Sequence, residues 1–123
     1  MDEPGIWDAA EVAKGDPIKP GEGFHWTWLA LGEHCTVNLV QARPGPELFH
    51  LHKDHDEVLY VVEADADFRL NDTVRPISAG DVLFIPKGVP HGPINGKKLT
   101  VLSIYGPAFD VENPDREYVD PDR

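Results

Sequence analysis

Three histidines, His50, His52 and His55, fall within six residues, with Glu57 close behind and His91 34 residues beyond Glu57. Imidazole and carboxylate are the side chains that hold first-row transition metals. Histidines two apart on a strand share a face, with side-chain origins roughly 7 Å apart. His50 and His52 can therefore converge on one ion at about 2.0–2.1 Å per bond, the distance typical of zinc. Glu57, after a short turn, can add an oxygen ligand, and His91 is the obvious fourth. Three neutral nitrogens and one carboxylate suit iron, manganese, nickel, cobalt or zinc; calcium and magnesium want oxygens. An octahedral ion held by four protein groups keeps two positions open, where a substrate or dioxygen can bind. The ligating imidazoles must be neutral, so acid below roughly pH 5–6 is expected to release the ion.

The other candidates carry blander readings. His55 lies in the charged run Lys53-Asp54-His55-Asp56 and reads as a solvated or supporting residue, not a ligand. His25 and His34 stand alone and read as structural histidines, and Cys35 as a small buried hydrophobe. Trp26 and Trp28 share one face of a strand, placed to line a pocket mouth or, the favoured reading, to serve core or dimer packing.

The elements that must position these groups are short strands. Runs at Phe24–Leu31, His34–Gln41, Glu47–His52, Glu57–Glu63, Asp67–Leu70, Val82–Pro86, His91–Ile94 and Leu99–Tyr105 alternate with Gly-, Pro- and Asn-rich breaks, among them Asn71-Asp72 and Asn95-Gly96. No stretch sustains a period near 3.6; Asp8 is placed to cap one helical turn as far as Lys14. The predicted organisation is an N-terminal arm over residues 1–23, a β-barrel over 24–106 and an extended C-terminal arm over 107–123. Strand parity turns Phe49, Leu51, Val58, Tyr60 and Val62 outward if His50, His52 and Glu57 point inward. Such an apolar exterior needs cover, either from Ile6, Trp7, Phe109 and Tyr118 of the arms or from a second copy of the chain. A homodimer is expected.

Composition narrows the field. The 123 residues make one domain, and 12 prolines with 11 glycines fit loop-rich β structure better than a helical bundle. Eleven basic against 22 acidic residues give a net charge of −11, which argues against nucleic acid or an anionic membrane as partner. One cysteine excludes an intrachain disulfide framework. The longest apolar run, Val58 to Val62, is far short of a membrane span, and the start lacks a secretion signal, so a cytoplasmic location is expected.

Two motifs make the chain similar to the cupin superfamily, in its small single-barrel form. The first, a glycine followed by His-x-His and then a glutamate, reads Gly45-Pro-Glu-Leu-Phe-His50-Leu-His52-Lys-Asp-His-Asp-Glu57 and runs on to Ala64. The second reads Gly80-Asp-Val-Leu-Phe-Ile-Pro86-Lys-Gly88-Val-Pro-His91-Gly-Pro-Ile-Asn95 and matches at every motif position. Gly45 sits one residue nearer His50 than usual. Ala64 replaces a glycine where the turn often needs positive φ, which leaves Asp65 to adopt it. The resemblance implies an all-β fold, a small antiparallel jelly-roll barrel with the ligand site inside. It also implies metal ligands at His50, His52, Glu57 and His91, with one divalent transition metal per chain.

The resulting functional expectation is a metal-dependent enzyme acting on a small oxygen-bearing metabolite that chelates or enolises. Its chemistry would be dioxygenase-like or isomerase/lyase-like, with no catalytic base identified. The alternative is a non-catalytic module that binds a metal or small molecule. Tyr60 resembles the tyrosine of a Glu-x-x-Tyr arrangement in some cupin lyases, but its outward parity favours packing.

Overall fold

The structure, a computed structural model, describes residues 3–122. Asp8 caps helix α1 (Ala9–Gly15), accepting from the amides of Ala10 and Glu11 at 3.1 and 3.3 Å, as its sequence position predicts. The remaining elements are strands β1 (Phe24–Leu31), β2 (Thr36–Ala42), β3 (His50–Leu51), β4 (Asp56–Leu70), β5 (Thr73–Ile77), β6 (Val82–Ile85), β7 (His91–Gly106) and β8 (Glu117–Tyr118). All described pairings are antiparallel. Among the described residues, no helix is long and apolar enough to cross a membrane.

Strand β7 organises the barrel. Its C-terminal half pairs with β2, its N-terminal end meets β3 at His91, and its full length pairs with β4. β4 also carries β5 and β6, so the sheet curls into an antiparallel jelly roll. Two expected breaks are absent. The chain runs unbroken through Ala64–Ala66 on β4 and through Asn95-Gly96 on β7. Register shifts absorb the irregularity, and Gly96 lies at one of them with φ +122°. A Cβ on Gly96 would fall 2.2 Å from the Asp65 carbonyl, so only glycine fits. Neither Ala64 nor Asp65 takes positive φ; among the described residues only Asn71 does so without being glycine, in the β4–β5 turn.

The register shift between Val61 and Glu63, where β4 carries the extra residue Val62, switches which residues of β4 face inward. Glu57, Leu59 and Val61 are buried before it, and Ala66 and Phe68 after it. These apolar residues pack with Val40, Leu48, Ile85, Leu99 and Val101 into one cluster. Each side chain of that size stabilises by about 1.5–3 kcal/mol when fully buried.

Several expectations are corrected. The stretch Glu47–His52 is mostly a 3-10 turn, Pro46–Leu48, with only His50 and Leu51 in a strand. β5 was not expected because Pro76 interrupts its pattern, nor β8, which is two residues long. Cys35 is exposed, because it closes the β1–β2 turn through its carbonyl to Gly32 N (3.0 Å). His34 is exposed in the same turn. Phe49 is buried, lying beneath Arg69 and bonded through its carbonyl to Val119 N of the C-terminal arm. Tyr60 does face outward, 44% exposed. The arms leave Val82 and Phe84 uncovered, while Ile6, Trp7 and Tyr118 are themselves exposed and Phe109 packs at the barrel's polar end.

Candidate metal centre

The polar end of the interior gathers the predicted residues. His50 and His91 are register partners across β3 and β7. Glu57 enters from β4, and His52 follows β3 directly. All four side chains are buried. The imidazole centroids lie 4.4 Å (His50–His91), 5.0 Å (His50–His52) and 5.2 Å (His52–His91) apart, and each ring offers a nitrogen within 4.8 Å of the others. Glu57 Oε1 sits 3.0 Å from His91 Nε2 and 3.3 Å from His52 Nε2.

The hydrogen bonds settle which nitrogen faces inward. His50 Nδ1 meets Leu48 O at 2.7 Å, His91 Nδ1 meets Val89 O at 2.9 Å, and His52 Nδ1 meets Asp115 O at 2.5 Å. A carbonyl only accepts, so each Nδ1 carries the proton and donates, and each Nε2 keeps a lone pair in the neutral ring. His52 Nε2, His91 Nε2 and Glu57 Oε1 are buried without a hydrogen-bond partner, although they approach one another closely. Buried acceptors facing acceptors are costly, and a positive charge, proton or metal ion, must lie among them. A donor set of imidazole nitrogens with one carboxylate oxygen fits a transition dication. Imidazoles held by Nδ1–H···O=C contacts are the supporting pattern such ions require.

The titration behaviour agrees. Burial, with charge on His91 adding to it, pushes His50 down to about 3, so this ring stays neutral. Burial opposes ionisation of Glu57, but His52 and His91 outweigh it and hold the carboxyl below its ordinary range. Its other oxygen accepts from the Ser103 hydroxyl. Tyr105 is pushed well above the usual phenol range, first by burial and then by Glu57.

The turn after β6 helps aim His91 and His52. Gly88, at φ +83°, donates its amide to His52 O at 2.6 Å. His55 stays apart from the three rings: its Nδ1 lies 2.6 Å from Asp115 Oδ2 and its Nε2 3.3 Å from Ala108 O. His25 is a strut, as expected, with its ring nitrogens each 2.9 Å from a carboxylate, Asp16 and Glu22. Trp28 stacks on Phe109, whereas Trp26 both packs on the core and lines the cavity beside His50, Glu57 and His91. The void open to water there is about 30 Å³, room for one or two waters.

Four contributors were not foreseen. Ser103 follows the inward parity of Val101 and Tyr105 on β7 and was legible in that alternation. Asn38, its register partner on β2, is wholly buried with neither amide atom partnered. Asp115 and Arg116 come from the C-terminal arm, and no local pattern marks them.

A single curled antiparallel barrel of this topology places the chain in the class of double-stranded β-helix folds. The chain belongs to the cupin family, whose cupin domain model matches residues 38–105. An uncharacterized protein of Aquifex aeolicus (strain VF5) is 34% identical over 65 residues, covering 52% of this chain and 54% of that protein. The chain thus matches about half the length of that relative. An uncharacterized conserved protein with a double-stranded β-helix domain from Klebsiella pneumoniae superposes with a TM-score of 0.74 at 20% identity, covering 95% of this chain and 98% of that one. Pac13 from Streptomyces, a nucleoside dehydratase, gives 0.65 at 20% identity over 88% of each chain. KdgF from Halomonas sp. gives 0.63 at 22% over 77% and 89%.

Proposed function

We propose that the chain is a metal-dependent cupin enzyme acting on a small oxygen-bearing metabolite, with one divalent transition metal held by His50, His52, Glu57 and His91. The observation that carries this reading is the set of three Nδ1-anchored imidazoles with a buried carboxylate oxygen between two of them. The ion, when bound, supplies Lewis acidity to a substrate oxygen and, with iron, manganese or nickel, a means of handling dioxygen. The protein's part is to fix the rings through backbone carbonyls and to hold Glu57 ionised beside Ser103. Its apolar walls keep bulk water out. Isomerisation or elimination next to a carbonyl fits such a site, and the similarly folded Pac13 is a dehydratase. The arm at 107–123 belongs to the site in this reading, because its Arg116 lines the cavity.

A non-catalytic binding role is the second reading. It is favoured by the lack, among the described cavity residues, of a free base: Glu57 and the histidines face one another, and Tyr105 stays protonated. Elemental analysis of the isolated protein is expected to give about one equivalent of a first-row dication. Less than a few tenths, unrestored by added metal, overturns the metal reading. Turnover of a screened metabolite that needs metal and disappears in His52→Ala supports the enzyme; retained metal without turnover supports the binder.

We also propose a homodimer through the exterior of β4 and β6, where Tyr60 pairs with Val82 and Val58 with Phe84. Val82 and Phe84 are 67% and 58% exposed, too much adjacent apolar surface to leave wet. Light scattering at micromolar concentration is expected to show two copies; a monomer overturns this.

A further inference from the structure

One charged group at the cavity is explained neither by the metal cluster nor by the family match. Arg116 lies outside residues 38–105 and lines the cavity beside His50, Glu57 and His91. Its guanidinium carbon lies 4.6 Å from the Trp26 ring centroid and 5.8 Å from that of Phe109. The segment that delivers it is tied down on both sides. Asp115 O holds His52, β8 pairs with β3, and Val119 N bonds Phe49 O at 3.0 Å.

Among the described residues, no carboxylate pairs with this guanidinium, although acidic residues outnumber basic ones 22 to 11. The nearby acids are engaged elsewhere. Asp115 accepts from Lys53 N at 2.9 Å, Asp54 N at 2.8 Å and His55 Nδ1 at 2.6 Å. Glu117 pairs with Lys53 Nζ at 3.4 Å, and Glu57 accepts from Ser103 with one oxygen and turns the other toward His52 and His91. A guanidinium offers a planar fork of donors matched to carboxylate or phosphate. Set against aromatic rings, with no carboxylate paired to it, it binds such a group more strongly than it would in open water.

We propose that Arg116 is the oxyanion-binding residue of this cavity, so that the substrate carries a carboxylate or phosphate held by the guanidinium while another of its oxygens faces the histidine cluster. The second half rests on the metal-site reading; the first does not.

The test titrates the full chain, once stripped with EDTA and once loaded with cobalt(II). Sodium acetate and methyl phosphate are compared with neutral acetamide at fixed ionic strength, following tryptophan fluorescence and heat. At least one anion is expected to bind saturably in both preparations, acetamide not at all. Arg116→Gln should weaken that anion by roughly tenfold or more, the worth of one charge-assisted contact, with partial recovery in Arg116→Lys. Whichever anion binds better identifies the group as carboxylate or phosphate. Anions binding wild-type protein no better than acetamide overturn the proposal without recourse to a variant. So does a smaller loss in Arg116→Gln that still takes up cobalt. If cobalt fails to bind but Arg116-dependent anion binding persists, the metal reading falls and this assignment stands. Cobalt binding without anion binding has the opposite meaning.

Discussion

His25 and the trio of His50, His52 and His91 are all buried imidazoles in the same barrel, yet their surroundings set them opposite tasks. Each ring of the trio gives its Nδ1 proton to a backbone carbonyl and leaves Nε2 facing its fellows. His25 instead lies between two carboxylates, Asp16 and Glu22, at 2.9 Å each. A neutral acceptor on one nitrogen makes a ligand of the other; an anion on both makes the ring a cation and a strut. His25 fastens the N-terminal arm, where Thr27 and Gln41 also bond Asp16. Burial alone does not separate ligand from strut; the partner of Nδ1, a carbonyl in the trio and a carboxylate for His25, does.

The sharpest break of this contrast is a paired replacement. His91→Ala should lower cobalt or zinc affinity by more than the ~10–100-fold expected for loss of a supporting contact, whereas His25→Ala leaves it unchanged. Equal effects, read by competition with a chromogenic chelator, would erase the distinction. Next in size is Ser103→Ala, which strips the hydroxyl from Glu57 and should cost about tenfold in metal affinity with little change in fold.

A smaller effect concerns pH. Hydrogen bonds donated to Asp16 and then Glu22 raise the His25 pKa above its ordinary ~6.5. The folded state therefore holds this proton more tightly than the unfolded chain. The resulting stability is complete below about pH 6.5 and fades as pH rises through the raised value. Urea unfolding of the metal-free protein should show that decline, and His25→Gln should flatten it. A decline that persists unchanged in the variant would assign it to other groups. The smallest expected change is in Asn38→Leu, which removes two buried unpartnered polar atoms. Stability should hold or rise by about 1 kcal/mol in thermal melts.

The four clustered side chains and the curled sheet were legible because they are written locally. His-x-His sets a shared face, the breaks set strand lengths, and Pro86 with Gly88 sets the turn before His91. What escaped was nonlocal or depended on register. The bulge at Gly96 joined strands that read as separate, because a glycine in sequence marks equally a turn or a close approach. Asp115 reaches His52 across 63 residues, and nothing near either position announces the meeting. Cys35 was misread because an apolar residue type carries no record of the turn that exposes it.

That single reach has a thermodynamic corollary. Asp115 grips His52 by its main chain and the neighbouring loop by its carboxylate, so tail docking and ring alignment form one equilibrium seen from two ends. Whatever steadies the rings must shield the tail from proteolysis, and clipping the chain ahead of Asp115 must loosen the rings by the same factor.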